Sequence, residues 1–244
     1  MSQLSLPGNP AELHLRYHFD HSLTGDAHEQ TVECWQVDIH HDSGICHVCC
    51  TIDGTAGSCE EDACSRHAPG PVVGHMTFYR IRLTQGMNGY EALKEVPELG
   101  KLADDLLDPR TGYFTEEVDQ YLPYTGTDLL IMDRVVLDRP WRGAGLGSIL
   151  AAEAIDRIGL GCRAVACTPG VSDPAPDWHP DQDEWDRVAG RIAAAWRRAG
   201  FIAYRDTTYL LTPTSPEAEL ARDVLRTDFQ DLCLLWRADE DRYV

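Results

Sequence analysis

Apolar and polar residues alternate over residues 14–19 and again over 32–39, the period of a half-buried strand. Asp42-Ser43-Gly44 reads as a hairpin turn into another alternating run at 45–52. Residues 53–71, rich in Gly, Ser, Ala, Asp and Glu, read as a loop, and 72–83 as the next strand. From 89 to 122 the period lengthens: Leu93, Val96, Leu99, Leu102, Leu106 and Leu107 make a helical stripe. An apolar strand at 129–137 then leads into an apolar-faced helix, Leu146–Ile158, which stops at Gly159. A strand at 163–168 precedes a second helix. Asp181 followed by Glu184 marks its start, Trp185, Val188, Ile192, Ala195, Trp196 and Ala199 share one face, and Gly200 marks its stop. Strands at Ile202–Arg205 and 208–212, a helix at 216–229 and a strand-like run at 232–236 complete the pattern.

Nothing in this pattern repeats or marks a linker, so the 244 residues read as one domain. Its parts are N-terminal strands with a Cys-rich loop (1–85), a helical insertion (86–126), a core (127–212) and a C-terminal extension (213–244). No apolar run approaches the roughly 20 residues that span a bilayer. The N-terminus has neither the basic start nor the apolar stretch of a signal peptide, so a cytoplasmic location is expected.

The formal charge of −19 disfavours nucleic acid and anionic membrane as partners, because both recruit basic surface. It points to a cationic acceptor, either a small-molecule amine or a basic protein segment, or serves only to keep the chain in solution. Of nine cysteines, six fall between Cys34 and Cys64. Without an export signal they are expected as thiols. Cys46, Cys49, Cys59, Cys64 and His67 have roughly zinc-compatible spacings. Alternation over 45–52 would nevertheless turn Cys46 and Cys49 to opposite sides, so buried or loop thiols are the default and no metal is expected.

The candidate chemistry lies between the strand at 129–137 and the helix after it. Arg142-Gly143-Ala144-Gly145-Leu146-Gly147 exposes backbone N–H groups at a helix N-terminus, which carries roughly half a positive charge. Arg142 adds a guanidinium, and Arg134, Arg139, Arg157 and Arg163 are expected nearby. That is an anion cradle. A P-loop needs a lysine before Ser148, and a dinucleotide fingerprint needs a glycine where Ser148 stands, so neither motif fits.

Arg142, Gly145 and Gly147, in the order Arg-x-x-Gly-x-Gly after the strand, resemble the signature of the GNAT superfamily of acyl-CoA-dependent N-acyltransferases. The following strand, and a helix ending Ala195-Trp196-Arg197-Arg198-Ala199-Gly200-Phe201, resemble that family's next elements. The resemblance covers residues 127–212. It implies an α/β fold with a central mixed, mostly antiparallel sheet, flanked by helices and splayed at the cofactor site. It also implies acetyl-CoA as co-substrate. Backbone contacts to the thioester and pantetheine arm would come from Val136, Leu137 and Asp138. Pyrophosphate contacts would come from Arg142, Gly143, Ala144, Gly145, Leu146, Gly147 and Ser148. A homodimer is compatible with this reading.

Three departures from the family's pattern stand out. Helical sequence at 89–122 falls just before the cradle strand, and the loop at 169–180 offers no asparagine for the cofactor arm. Where relatives place an acidic tyrosine, this chain has Trp196, whose indole N–H is no acid near neutral pH. Tyr204, Tyr209 or water would substitute. Asp133 on the cradle strand is the candidate base, unless it pairs with Arg134 or Arg163; His75 and His179 are further candidates. A module that binds acyl-CoA without catalysis is the alternative, and a transferase acting on aminoacyl-tRNA is disfavoured by the acidity.

Overall fold

Alternation in the first third of the chain resolves into paired antiparallel strands. The computed structural model describes residues 6–42, 70–171 and 180–240. The strand expected at 45–52, the cysteine–histidine spacings, and Asp173, Asp177 and His179 lie outside them. β1 (Leu13–Phe19) pairs with β2 (Val32–His41), β2 with β3 (Val72–Ile81), and β3 with β4 (Asp128–Leu137), all antiparallel. β4 runs parallel to β5 (Cys162–Cys167). β7 (Thr208–Leu211) joins antiparallel between β5 and the edge strand β6 (Ile202–Arg205). The result is a seven-stranded mixed sheet, mostly antiparallel, in the order β1-β2-β3-β4-β5-β7-β6.

Helices flank both faces. α1 (Ala27–Thr31) precedes β2. The insertion forms α2 (Gly89–Lys94), α3 (Gly100–Leu106) and α4 (Glu116–Tyr121), with a 3₁₀ turn at Pro97–Leu99. The helical run is broken because Pro97 starts a new turn and the stretch from Asp108 to Gly112 folds back on the Asp108 carbonyl. Its leucines pack with Ile81, Leu129 and Ile131 on one sheet face. On the other face α5 (Leu146–Ile158), α6 (Gln182–Arg198) and α7 (Pro216–Glu240) enclose Met76, Phe78, Leu130, Ile149, Phe201 and Leu225. α5 supplies the crossover that a parallel pair requires.

Residues 232–236 are not a strand. α7 continues through them because Leu225, Phe229 and Leu232 meet the core at helical spacing, while Leu234 and Leu235 are exposed. Two of the polar contacts that hold the insertion to the sheet are buried. Buried Arg163 on β5 pairs with Asp119 and donates to the carbonyls of Leu122 (3.1 Å) and Pro123 (2.9 Å). Asp105 on α3 accepts from the Thr208 hydroxyl at 2.5 Å.

Candidate functional site

The parallel ladder between β4 and β5 ends at Met132↔Cys167, yet β4 continues to Leu137. The β4 edge beyond Met132 therefore has no strand partner on that side. A cavity of about 700 Å³ opens there. Residues 132–137 line one wall, Cys167, Thr168, Gly170 and Val171 another, and Trp141–Gly143 with Gly145–Ser148 the floor. Val188, Arg191, Ile192, Ala195 and Trp196 on α6 close it. Its volume suits an organic ligand.

The cradle is built as a helix start. A 3₁₀ turn, Arg139–Trp141, buries Trp141 and reverses the chain after β4. Arg142 Nε donates to the Leu137 carbonyl at 2.5 Å, tying the cradle's first residue to the end of β4. Gly143 (φ 92°) and Gly145 (φ 80°) adopt the left-handed conformation that favours glycine. Among the described residues, a Cβ at either would meet nothing within 4 Å. Gly145 caps α5 with no side chain over the first amides, and the Ser148 hydroxyl donates to Gly145 O at 2.9 Å. Among the described residues, Arg134, Arg142 and Arg191 line the cavity with one acid, Asp133, in a chain of −19. Such an arrangement fits a phosphate-bearing ligand.

Of the cradle and strand-end residues expected from the sequence, Val136, Leu137, Arg142, Gly143, Gly145, Leu146, Gly147 and Ser148 line this cavity. Asp138 and Ala144 flank it in the chain without lining it. Arg157 lies 11 residues along α5 from Leu146, about 16 Å up the helix axis, and Arg163 is engaged with Asp119. Neither belongs to the cradle. Arg191 was not singled out by the sequence pattern. Its one visible signal is that it sits beside Val188, Ile192 and Ala195 at helical spacing.

Asp133 owes its place to a β-bulge. Phe78 opposes Met132 and Thr77 opposes Arg134, so Asp133 is the extra residue on β4. A bulge bends the strand and redirects side chains. Asp133 is half-buried and makes no ion pair among the described residues. Burial raises its pKa above the ordinary carboxylate value, Arg134 pulling it down and Glu98 pushing it further up. That combination suits a proton acceptor.

Among the described residues, neither Tyr204 nor Tyr209 lines the cavity. The Tyr204 hydroxyl is buried on the far side of the sheet edge, near Thr115, Glu117 and Tyr121, and does not line the cavity. The Tyr209 hydroxyl accepts from Arg197 Nη2 at 2.8 Å. His75 is exposed on β3 outside the cavity. Trp196 does line it, and its position has a local cause. Gly200 N–H bonds the Arg197 carbonyl and Phe201 N–H the Trp196 carbonyl, the paired bonds of a Schellman stop. The Trp196–Phe201 edge contact (centroids 6.2 Å apart) is the apolar clasp that accompanies it.

Among the described residues, no helix is long and apolar enough to cross a membrane, and no group of three or more His, Cys, Asp or Glu could hold a metal ion. No protein-family model matches the chain, and no curated protein matches it. A solved structure, "The crystal structure of KacTA-DNA complex", is similar over 89% of this chain and 99% of its own, at 11% identity and a TM-score of 0.31. A likeness at that level assigns neither family nor activity.

Proposed function

We propose that the cavity binds an acyl-coenzyme A, acetyl-CoA in the first instance, and that the protein transfers the acyl group to an amine. The observation that carries this reading is the joint one: an open glycine cradle at an uncapped helix start, continuous with a strand edge that has lost its ladder partner. The first suits a pyrophosphate. The second offers amides to an extended, amide-rich arm, as a neighbouring strand would.

In the transfer the amine nitrogen attacks the thioester carbonyl carbon, the C–N bond forms and the C–S bond breaks. Asp133 takes the proton that nitrogen loses. The sulfur leaves as thiolate and is protonated by water, since the Trp196 indole carries no acidic proton at neutral pH. Backbone N–H groups of the unpaired β4 edge polarise the carbonyl. A binding module without transfer is the second reading, favoured by Trp196 standing at the cavity where an acid would be wanted.

Calorimetric titration with CoA and acetyl-CoA tests the site, using Gly147→Ala as the control. A Cβ at Gly147 would meet only Val135 Cγ1, at 3.9 Å, so the fold tolerates it. Alanine in a first helical turn holds or raises Tm. It also stands between the ligand and the amides. Affinity should fall at least about tenfold, roughly 1.4 kcal/mol. No CoA binding by wild type, or equal binding by the variant, sinks the reading. Binding without thiol release on any amine favours the module.

A further inference from the structure

The chain-wide acidity suggests a cationic acceptor, but two strand rows that lead to the cavity hold two arginines to one aspartate. On the sheet face opposite the α5–α7 layer, cross-strand register sets His18–Gln36–Thr77–Arg134 in one row and Arg16–Asp38–His75–Val136 in the next. Arg16, His18, His75 and Arg134 are exposed, and Arg134 and Val136 also line the cavity. The face therefore runs without a break into the site. Its one acid within these rows, Asp38, lies 3.1 Å from His18 Nε2. Arg16 and Arg134 make no ion pair among the described residues. In a protein of charge −19 these rows hold two arginines without an ion pair among the described residues, against the one aspartate.

We propose that this face docks an acidic peptide segment whose free amine enters the cavity beside Asp133. Charge complementarity sets the sign of the partner, and spacing sets its size. Arg16 on β1 and Arg134 on β4 stand three strand spacings apart, about 14 Å. A small amine cannot bridge that gap. An extended peptide covers it in four or five residues, at about 3.3 Å each. The bordering acids, Asp133 and Glu98, lie at the cavity end, where they would meet the positively charged amine and not the carboxylates. What is done to the amine rests on the transfer reading; the docking does not.

The test uses two pentapeptides with free N-termini, Ala-Glu-Glu-Glu-Glu and Ala-Lys-Lys-Lys-Lys, titrated calorimetrically into the full chain without cofactor. The acidic peptide should saturate one site per chain, and Arg16→Glu or Arg134→Glu should each weaken it at least about fivefold, with the lysine peptide unaffected or strengthened. Arg16→Glu should leave CoA affinity unchanged. Failure of the acidic peptide to bind, or binding by both variants as tight as by wild type, overturns the proposal whatever the outcome with CoA. If CoA fails to bind while the acidic peptide still shows the arginine dependence, the docking stands and the transfer reading falls. With acetyl-CoA present, faster thiol release with the lysine peptide than with the glutamate peptide also counts against it.

Discussion

One inserted residue gives β4 its half-buried carboxylate and makes the fold carry a cost at the same point. Burial favours the neutral form of Asp133, so the folded chain holds that proton more tightly than the unfolded chain does. The sign follows. Well below the usual carboxylate range the group is protonated in both states and its titration leaves stability unchanged. As pH rises through that range up to the raised folded value, the folded state alone resists ionisation and loses stability, and above it the loss is complete. Asp133→Asn removes the penalty. Its Tm should exceed that of wild type at pH 7, and the advantage should shrink as pH falls toward about 3.5. Under the transfer reading the same substitution slows thiol release by about a hundredfold or more. Thermal melts at the two pH values check the first part, and a gain that does not depend on pH would mean the carboxylate is not held in a desolvated place.

At the scale of elements, what was legible in the sequence is what local chemistry decides. The bounds of α5 follow from Gly145 before it and Gly159 after it, and the start of α6 from Asp181, whose side chain accepts from the Glu184 amide at 2.8 Å. The Trp196–Phe201 stop is equally local. Features set by a partner strand were not legible. The bulge at Asp133 exists only in register with β3, and Tyr204 is carried away from the cavity because β7 inserts between β5 and β6. The same limit hid Arg191 and misread residues 232–236, where core contact of α7 overrides a short alternating run. The α6 stop yields an element-scale prediction. Trp196→Tyr keeps an aromatic ring against Phe201, so the helix end and Tm should change little. It also puts a phenol at the cavity. If a departing thiolate needs a proton there, kcat should rise about tenfold and acquire an alkaline limb near the tyrosine value of about 10. An unchanged pH–rate profile would show that the leaving group departs without an acid from α6.

Over the whole molecule two electrostatic ranges oppose each other. At close range Arg134, Arg142, Arg191 and the α5 start attract an anion; at long range a body of charge −19 repels it. Salt separates them, because the screening length is about 30 Å at 0.01 M and about 8 Å at 0.15 M ionic strength. At low salt an approaching CoA feels the net charge before it feels the cradle, whereas at physiological salt only the nearby groups act on it. If CoA is the ligand, as proposed, its association should therefore speed up as ionic strength rises over this range, the reverse of ordinary steering by an oppositely charged protein. Dissociation should speed up as well, since the pairs formed in the cradle are themselves screened, so the affinity changes less than either rate. Stopped-flow measurement of both rates at the two salt concentrations decides the point. Association that slows with added salt would mean that the basic floor of the cavity governs the approach and that the acidic surface lies too far from the entry path to matter.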